Sequence, residues 1–380
     1  STPIRIGNEL EIEWMHVTHS IIDSSCIAIK TAAGTMIHTG DFKIDHTPYD
    51  GFPTDIHRLA HYGEEGVLVM TSESTNSHSP GFTKTEKAVG PTFERIFSTS
   101  TGRVIMSTFS SNIHRVAQAI EKALKHGRKI CVIGRSMEKN LDIAMTLGYI
   151  KFPKDQFIEA HEINKYTDKE VMIVTTGSQG ESMSALYRMA IHEHRHVKIK
   201  PEDQIILSAK AIPGNEGSVS QIINHLLKAG AKVAYQDYTD IHVSGHAAQE
   251  EQKLMLRLVK PKFFLPVHGE YNHALKHGET GVDCGVLERN VYVMADGEQI
   301  EVNPKYLKKV KSVKSGKVYI DNQLNHKISD DVVIDRQTMA KEGIVMIVAQ
   351  INENDRTLAT KPKVATFGFI SDKQDRFFTN

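Results

Sequence analysis

Cysteine is scarce in this 380-residue chain: Cys26, Cys131 and Cys284 are far apart and form no C-x-x-C pair. That excludes a cysteine-rich zinc site and a disulfide framework, and it points to a reducing, cytoplasmic setting. Long apolar runs are missing as well. None approaches the roughly 18 residues that a membrane-crossing helix needs, so no membrane association is expected. Neither sign of charge is in excess, because Lys+Arg and Asp+Glu both number 46. Any nucleic-acid binding must come from a local groove, not a global basic field. Ser1-Thr2-Pro3-Ile4-Arg5 is neither a signal peptide nor a transit peptide. Internal repeats and low-complexity tracts are also missing.

What is present is histidine, 20 in all, enough to supply metal ligands without locating them. The length is too great for one ordinary core, and two or three domains are expected. Strand-like runs dominate the first 75 residues, at 9–18, 26–30, 35–40 and 67–72. The stretch Glu9–Trp14 alternates like a half-buried strand, and Val67-Leu68-Val69-Met70 is continuously apolar, as in a strand covered on both faces. From about 83 to 240 the rhythm changes. Apolar strands (103–107, 129–133, 171–175, 204–208, 232–235) alternate with amphipathic helices (83–97, 112–126, 136–147, 181–193, 216–229). Asn112 is a natural N-cap for the second helix. Such alternation predicts a mostly parallel sheet with helices on its faces. A helix at 248–259, a strand at 262–267 and further strands to about 320 follow. Residues 305–317 are rich in lysine and read as a solvated linker, with an RNA-tracking patch as the alternative. Gly343–Val348 reads as a buried strand.

The polar residues that can carry chemistry sit where strands end. His19 follows one strand, Asp41 follows another in Gly40-Asp41, and Glu73 lies just beyond the apolar run at 67–72. Imidazole with carboxylate is the donor set that suits zinc or manganese, and a carboxylate can bridge two cations. In His242-Val243-Ser244-Gly245-His246 a hydroxyl, an unhindered amide and an imidazole make a compact phosphate pocket. His246 could also protonate a leaving oxygen if a carboxylate orients it. His268 lies in Pro266-Val267-His268-Gly269-Glu270, where a turn would aim its ring out of the sheet end. Two motifs carry less. His192-Glu193-His194-Arg195-His196 lies at a helix end with no acid at ligand spacing. Gly177-Ser178-Gln179-Gly180-Glu181 could face an anion or be an ordinary strand-to-helix turn, and no Gly-Lys-Ser/Thr follows to make it a P-loop.

Taken together, Val17–Ser20, Thr39–Lys43, Glu73–Asn76, Thr176–Glu181, Ile212–Glu216, Val243–His246 and Pro266–Glu270, in that order, resemble the ribonuclease J family of β-CASP metallo-β-lactamase nucleases. The resemblance implies an α/β fold. Its parts are a metallo-β-lactamase αβ/βα sandwich, incomplete at its N-terminal half, an inserted parallel β-CASP domain and a partial C-terminal segment. Residues 1–75 and 240–322 would form the sandwich, 76–239 the insert and 323–380 the linker and C-terminal start. It implies a two-zinc centre, with manganese or magnesium as substitutes, held in part by His19, Asp41 as bridge and His268. Glu73 and His246 would serve the leaving group, and Ser244, Gly245, His246 and His242 would contact phosphate. The implied activity is RNA processing and decay, both 5′-to-3′ exonucleolytic and endonucleolytic. The substrate would be single-stranded RNA with a 5′ monophosphate. Implied partners are copies of itself, as a dimer or tetramer, and other RNA-decay proteins. The family's His-x-His-x-Asp-His motif does not occur in this sequence, which removes four of its metal ligands. Lesser departures are Ile22 for proline and Cys26 for glycine. The expectation is therefore a portion of a longer nuclease. The alternatives are a non-catalytic RNA-binding scaffold that has lost metal binding, or a β-CASP nuclease acting on DNA.

Overall fold

Three consecutive strands begin the main sheet. In the computed structural model, which describes residues 2–235, 240–321 and 326–368, they are β2 (Leu10–His16), β3 (Ser25–Thr31) and β4 (Gly34–His38), with β1 (Ile4–Ile6) at the edge. These pair antiparallel in sequence order. The sheet then turns parallel. After helix α1 (Ile56–Glu65), β5 (Val69–Glu73) lies beside β4, and a much later strand, Phe263–Val267, lies beside β5. Leu59, Tyr62, Met255, Leu256 and Phe264 share one buried cluster with Met15, Ile37 and Met70, so helices cover one face of this sheet.

Between those two strands the chain builds a second sheet. Its elements are α2 (Gly90–Thr99), β6 (Val104–Ser107), α3 (Ile113–Lys125), β7 (Lys129–Ile133), α4 (Arg135–Thr146), β8 (Val171–Thr175), α5 (Ala185–Ala190), β9 (Gln204–Leu207), α6 (Glu216–Lys228) and β10 (Lys232–Ala234). The strands are all parallel, in the order β10-β9-β6-β8-β7. Period-two alternation explains why β6 and β8 are buried at every residue. Val104, Met106, Met172 and Val174 face one helix layer, while Ile105, Val171 and Ile173 face the other. The chain returns through α7 (Gln249–Val259), β11 (Phe263–Val267) and α8 (Tyr271–Asp283). The hairpin β12 (Glu298–Val302) and β13 (Leu307–Ser312) follows. This α/β arrangement, a mixed sheet interrupted by an inserted parallel sheet, is the one the resemblance implies.

The chain divides into two compact units, Ser1–Lys311 and Ser312–Asn380. The second holds α9 (Asp330–Glu342) and the antiparallel pair β14 (Ile344–Val348) and β15 (Lys363–Phe367). The domain boundaries expected at 239–240 and 322–323 involve residues outside the described set. Among the described residues no helix is long and apolar enough to cross a membrane.

Several expectations change. Helices α1, α8 and α9 stand where none was expected, and the helix expected over 181–193 shortens to Ala185–Ala190. In α8, Gly281 is a packing position. A Cβ there would lie 2.7 Å from the Phe264 ring, so the glycine permits close helix–strand packing and does not break the helix. The β14 run is a strand but is exposed at every position, because its two-stranded sheet carries no second layer among the described residues. Glu13, expected on the polar face of β2, is buried at 3% exposure, and Trp14 is on the more open side. Arg58 and Tyr62 of α1 reach the Glu13 carboxylate and make that burial tolerable.

Candidate metal and phosphate site

Parallel register brings three of the expected residues to one sheet end. In β4–β5, His38 pairs with Thr71, and Thr39 N–H donates to Thr71 O at 3.0 Å, which places Asp41 just past the strand end. In β5–β11, Glu73 pairs with Val267, and Ser74 N–H donates to His268 O at 3.0 Å. Asp41, Glu73 and His268 therefore leave three adjacent strands at their C-terminal ends. His268 has a left-handed backbone, with φ of 52°. That conformation is uncommon for a non-glycine residue, although histidine is among those that adopt it more readily. The turn directs its Nδ1 to Asp41 Oδ1 at 2.5 Å.

His19 arrives from the antiparallel side. The chain leaving β2 is pinned where Lys43 N–H donates to Thr18 O at 2.7 Å, which ties the His19 and Asp41 segments together. His19 Nδ1 lies 2.8 Å from Gly245 O, its Nε2 3.2 Å from Ser20 Oγ and 3.9 Å from Asp41 Oδ2. His246 completes the group: its ring centre is 4.9 Å from that of His19 and 5.7 Å from that of His268. Its Nδ1 is 3.4 Å from Glu73 Oε1 yet has no aligned hydrogen-bond partner although buried. Glu73, 1% exposed, accepts from Ala247 N–H at 3.1 Å and Thr75 N–H at 2.9 Å, so it anchors the segment that carries His246.

The electrostatics differ from residue to residue. Burial lowers the His19 pKa, against the raising effect of its bond to Gly245, so this ring favours the neutral form that a metal requires. Burial alone would raise Asp41, but its hydrogen bond to His268 and the surrounding imidazoles bring it below the usual aspartate value. The same bond raises His268.

The residues present fit a cation. One donor atom from each of His19, Asp41 and His246 lies within 4.8 Å of the other two, the one such grouping among the described residues. The Gly245 carbonyl fixes the His19 ring as an outer hydrogen-bond partner of a metal ligand does. The orphaned His246 Nδ1 is a buried polar atom that lacks a partner. His268 shares the Asp41 carboxylate from the other side.

The Ser244–His246 segment is held by close packing and hydrogen bonds. A Cβ on Gly245 would lie 2.7 Å from His19 Nδ1 and 2.8 Å from Ser20 Cβ, so this glycine makes room for the His19 segment. Ser244 Oγ accepts from Asn76 Nδ2 at 2.9 Å and from His246 N–H at 3.1 Å. The His246 carbonyl accepts from Asn76 at 2.9 Å and Thr83 at 2.7 Å. His242 is directed elsewhere: its Nδ1 accepts from Arg115 Nη1 at 2.7 Å, and burial beside that cation drives its pKa down to about 3.

Of the lesser motifs, His194 Nδ1 accepts from the backbone of His196 and Val197 and closes a turn. In Gly177–Glu181, buried Gln179 bonds to Lys210 O and Ile212 N–H, tying two loops together. Lys308 and Lys309 of the basic stretch pair with Glu301 and Glu298 on the neighbouring strand. Sequence reasoning missed Arg115, Glu86, Thr83 and the part played by Asn76. Only Asn76 had a local signal, three residues past Glu73.

Comparison with known proteins adds family context. Residues 101–226 match the model "Ribonuclease J, beta-CASP domain", 230–293 match "Zn-dependent metallo-hydrolase RNA specificity domain", and 331–380 match "Ribonuclease J C-terminal domain". The chain is 60% identical over 374 residues to Ribonuclease J of Helicobacter pylori, covering 98% of this chain and 54% of that protein. It is 40% identical over 373 residues to Ribonuclease J of Synechocystis sp., covering 98% and 58%. The chain thus spans about half the length of the curated relatives it matches. A solved protein of unknown function from Enterococcus faecalis has a TM-score of 0.53 at 15% identity, covering 81% of this chain and 66% of that one, a likeness of fold alone.

Proposed function

Since this chain belongs to the ribonuclease J family, we propose that it supplies one side of the reaction centre of a metal-dependent ribonuclease of RNA processing and decay. The observation that carries the reading is the Asp41 carboxylate, with His268 Nδ1 at 2.5 Å on one oxygen and His19 Nε2 at 3.9 Å from the other. Two zinc ions are proposed, for which His19, Asp41 and His268 would supply part of the donor set. When bound, zinc would activate water and stabilise charge on a departing oxygen.

The chain's own residues do the rest. Both lone-pair directions of Ser244 Oγ are occupied by donors, so its proton is left for a phosphate oxygen. The proposed phosphate contacts are Ser244, Gly245 and His246. Glu73 holds the His246 segment through Ala247, which places His246 to donate a proton to the leaving oxygen. The substrate is RNA, with 5′-to-3′ exonucleolytic and endonucleolytic cleavage and preference for a 5′ monophosphate.

The test uses a preparation that cleaves RNA. Asp41→Ala or His268→Ala should abolish cleavage and zinc retention together, as read by metal analysis of the purified protein. Full activity after complete chelation would refute the metal role. His246→Ala cleaving at the wild-type rate would refute the proton-donor role alone.

A further inference from the structure

Arg115, on α3, is fully buried at 0% exposure, and all five of its N–H groups are engaged. Nε and one Nη2 hydrogen grip the Glu86 carboxylate, at 2.7 and 2.8 Å. The second Nη2 hydrogen goes to Val243 O at 2.8 Å. Nη1 reaches Ser208 O at 3.2 Å and His242 Nδ1 at 2.7 Å. A guanidinium only donates, so His242 Nδ1 must present a lone pair and the ring is neutral. Ser208 Oγ adds a bond to Ile241 O at 2.6 Å. Residues 241–243 are therefore held from inside the second sheet immediately before Ser244-Gly245-His246. The network also runs the other way. Glu86 N–H donates to Asp45 Oδ2 at 2.9 Å, and Asp45 pairs with buried Lys43 at 3.6 Å, on the segment that carries Asp41.

We propose that Arg115, held by Glu86 and accepted by His242, is a positioning residue that sets the placement of the Ser244–His246 segment against Glu73 and His19. Neither Arg115 nor Glu86 is needed to touch substrate. The chemical consequence of that placement rests on the ribonuclease reading above; the placement itself does not. On this reading His242 Nδ1 serves as an acceptor for Arg115.

Amide hydrogen exchange on the 380-residue chain tests the placement without RNA or metal. His246 N–H and Ala247 N–H, bonded to Ser244 Oγ and Glu73 Oε1, are the reporters. Arg115→Lys should speed their exchange by about tenfold or more and leave β3 and β5 unchanged. Breaking a buried pair can unfold a protein, so His242 supplies variants that leave the Arg115–Glu86 pair in place. His242→Leu removes the acceptor and should loosen the same amides, whereas His242→Gln offers a carbonyl oxygen and should restore protection. Wild-type protection in His242→Leu overturns the proposal, as does His242→Gln as loose as His242→Leu. In a preparation that cleaves RNA, Arg115→Lys and His242→Leu should lower kcat with little change in KM. A loosened segment with unchanged kcat also overturns the positioning role. Wild-type protein that does not cleave RNA at all refutes the ribonuclease reading instead, and leaves the exchange result standing.

Discussion

Gly245→Ala isolates a steric demand at the heart of the site. Gly245 is outside the left-handed region, so alanine can adopt its backbone without strain. The cost comes from contact. The added methyl would lie 2.7 Å from His19 Nδ1, 2.8 Å from His19 Cε1 and 2.8 Å from Ser20 Cβ, all closer than real Cβ atoms approach. His19 cannot swing aside freely, because its Nδ1 is bonded to the Gly245 carbonyl itself. Relief requires the 242–246 segment and the His19 segment to part, with weakening of that bond. Overpacking of this kind costs about 1–3 kcal/mol. Gly217→Ala in α6 is the control: that glycine also lacks a positive φ, and nothing lies within 4 Å of the added atom. Alanine there should stabilise by about 0.5–1 kcal/mol through lower unfolded-state entropy and better helix propensity. Urea unfolding followed by circular dichroism should move the two midpoints in opposite directions from the parent. A Gly245→Ala midpoint at or above the parent's would refute the close approach of the two segments.

Two further outcomes test the packing that carries the site. Glu13 accepts from Arg58 Nε at 2.8 Å, Arg58 Nη2 at 2.6 Å and Tyr62 Oη at 2.5 Å, and the Arg58 bond holds its pKa below the ordinary value despite burial. A depressed carboxylate contributes stability that is complete above the ordinary glutamate range and lost as pH falls through the lowered value. Glu13→Gln should therefore cost about 1.5–3 kcal/mol at neutral pH and flatten the acid limb of the stability–pH curve; an unchanged acid limb would contradict this. Gly281→Ala in α8 would place a methyl 2.7 Å from the Phe264 ring, so calorimetry should show a net loss of about 1–3 kcal/mol. If it stabilises, as an ordinary helical glycine-to-alanine change does, the packing of α8 on β11 is looser than described.

Much of the second sheet is legible along the chain because its strands are short, apolar and separated by amphipathic helices. Asn112 caps α3 as expected, accepting from Arg115 N–H at 3.3 Å. Helix α8 was not legible: strands were expected there, and Gly281 is explained only by its close packing on the Phe264 ring. Glu13 was misread because an acid in an alternating strand looks solvent-facing when its partners lie 45 and 49 residues away. The same contrast holds at the site. His19, Asp41, Glu73 and His268 stood out because each marks the end of a strand. The tie between His242 and Arg115 did not, since Arg115 lies 127 residues before His242.

The bond between Asp41 and His268 joins residues 227 positions apart. Everything in the second sheet is synthesised between them. A growing chain of this sequence therefore holds Asp41 long before it holds the ring that meets it, and that meeting waits for β11 to dock beside β5. Closing so long a loop is the slow kind of folding event, whereas the intervening βα units form from nearer neighbours. The assembled centre is thus a signal of maturity. An unfinished or misdocked chain has its histidines and carboxylates scattered, and so has no formed site before folding is complete.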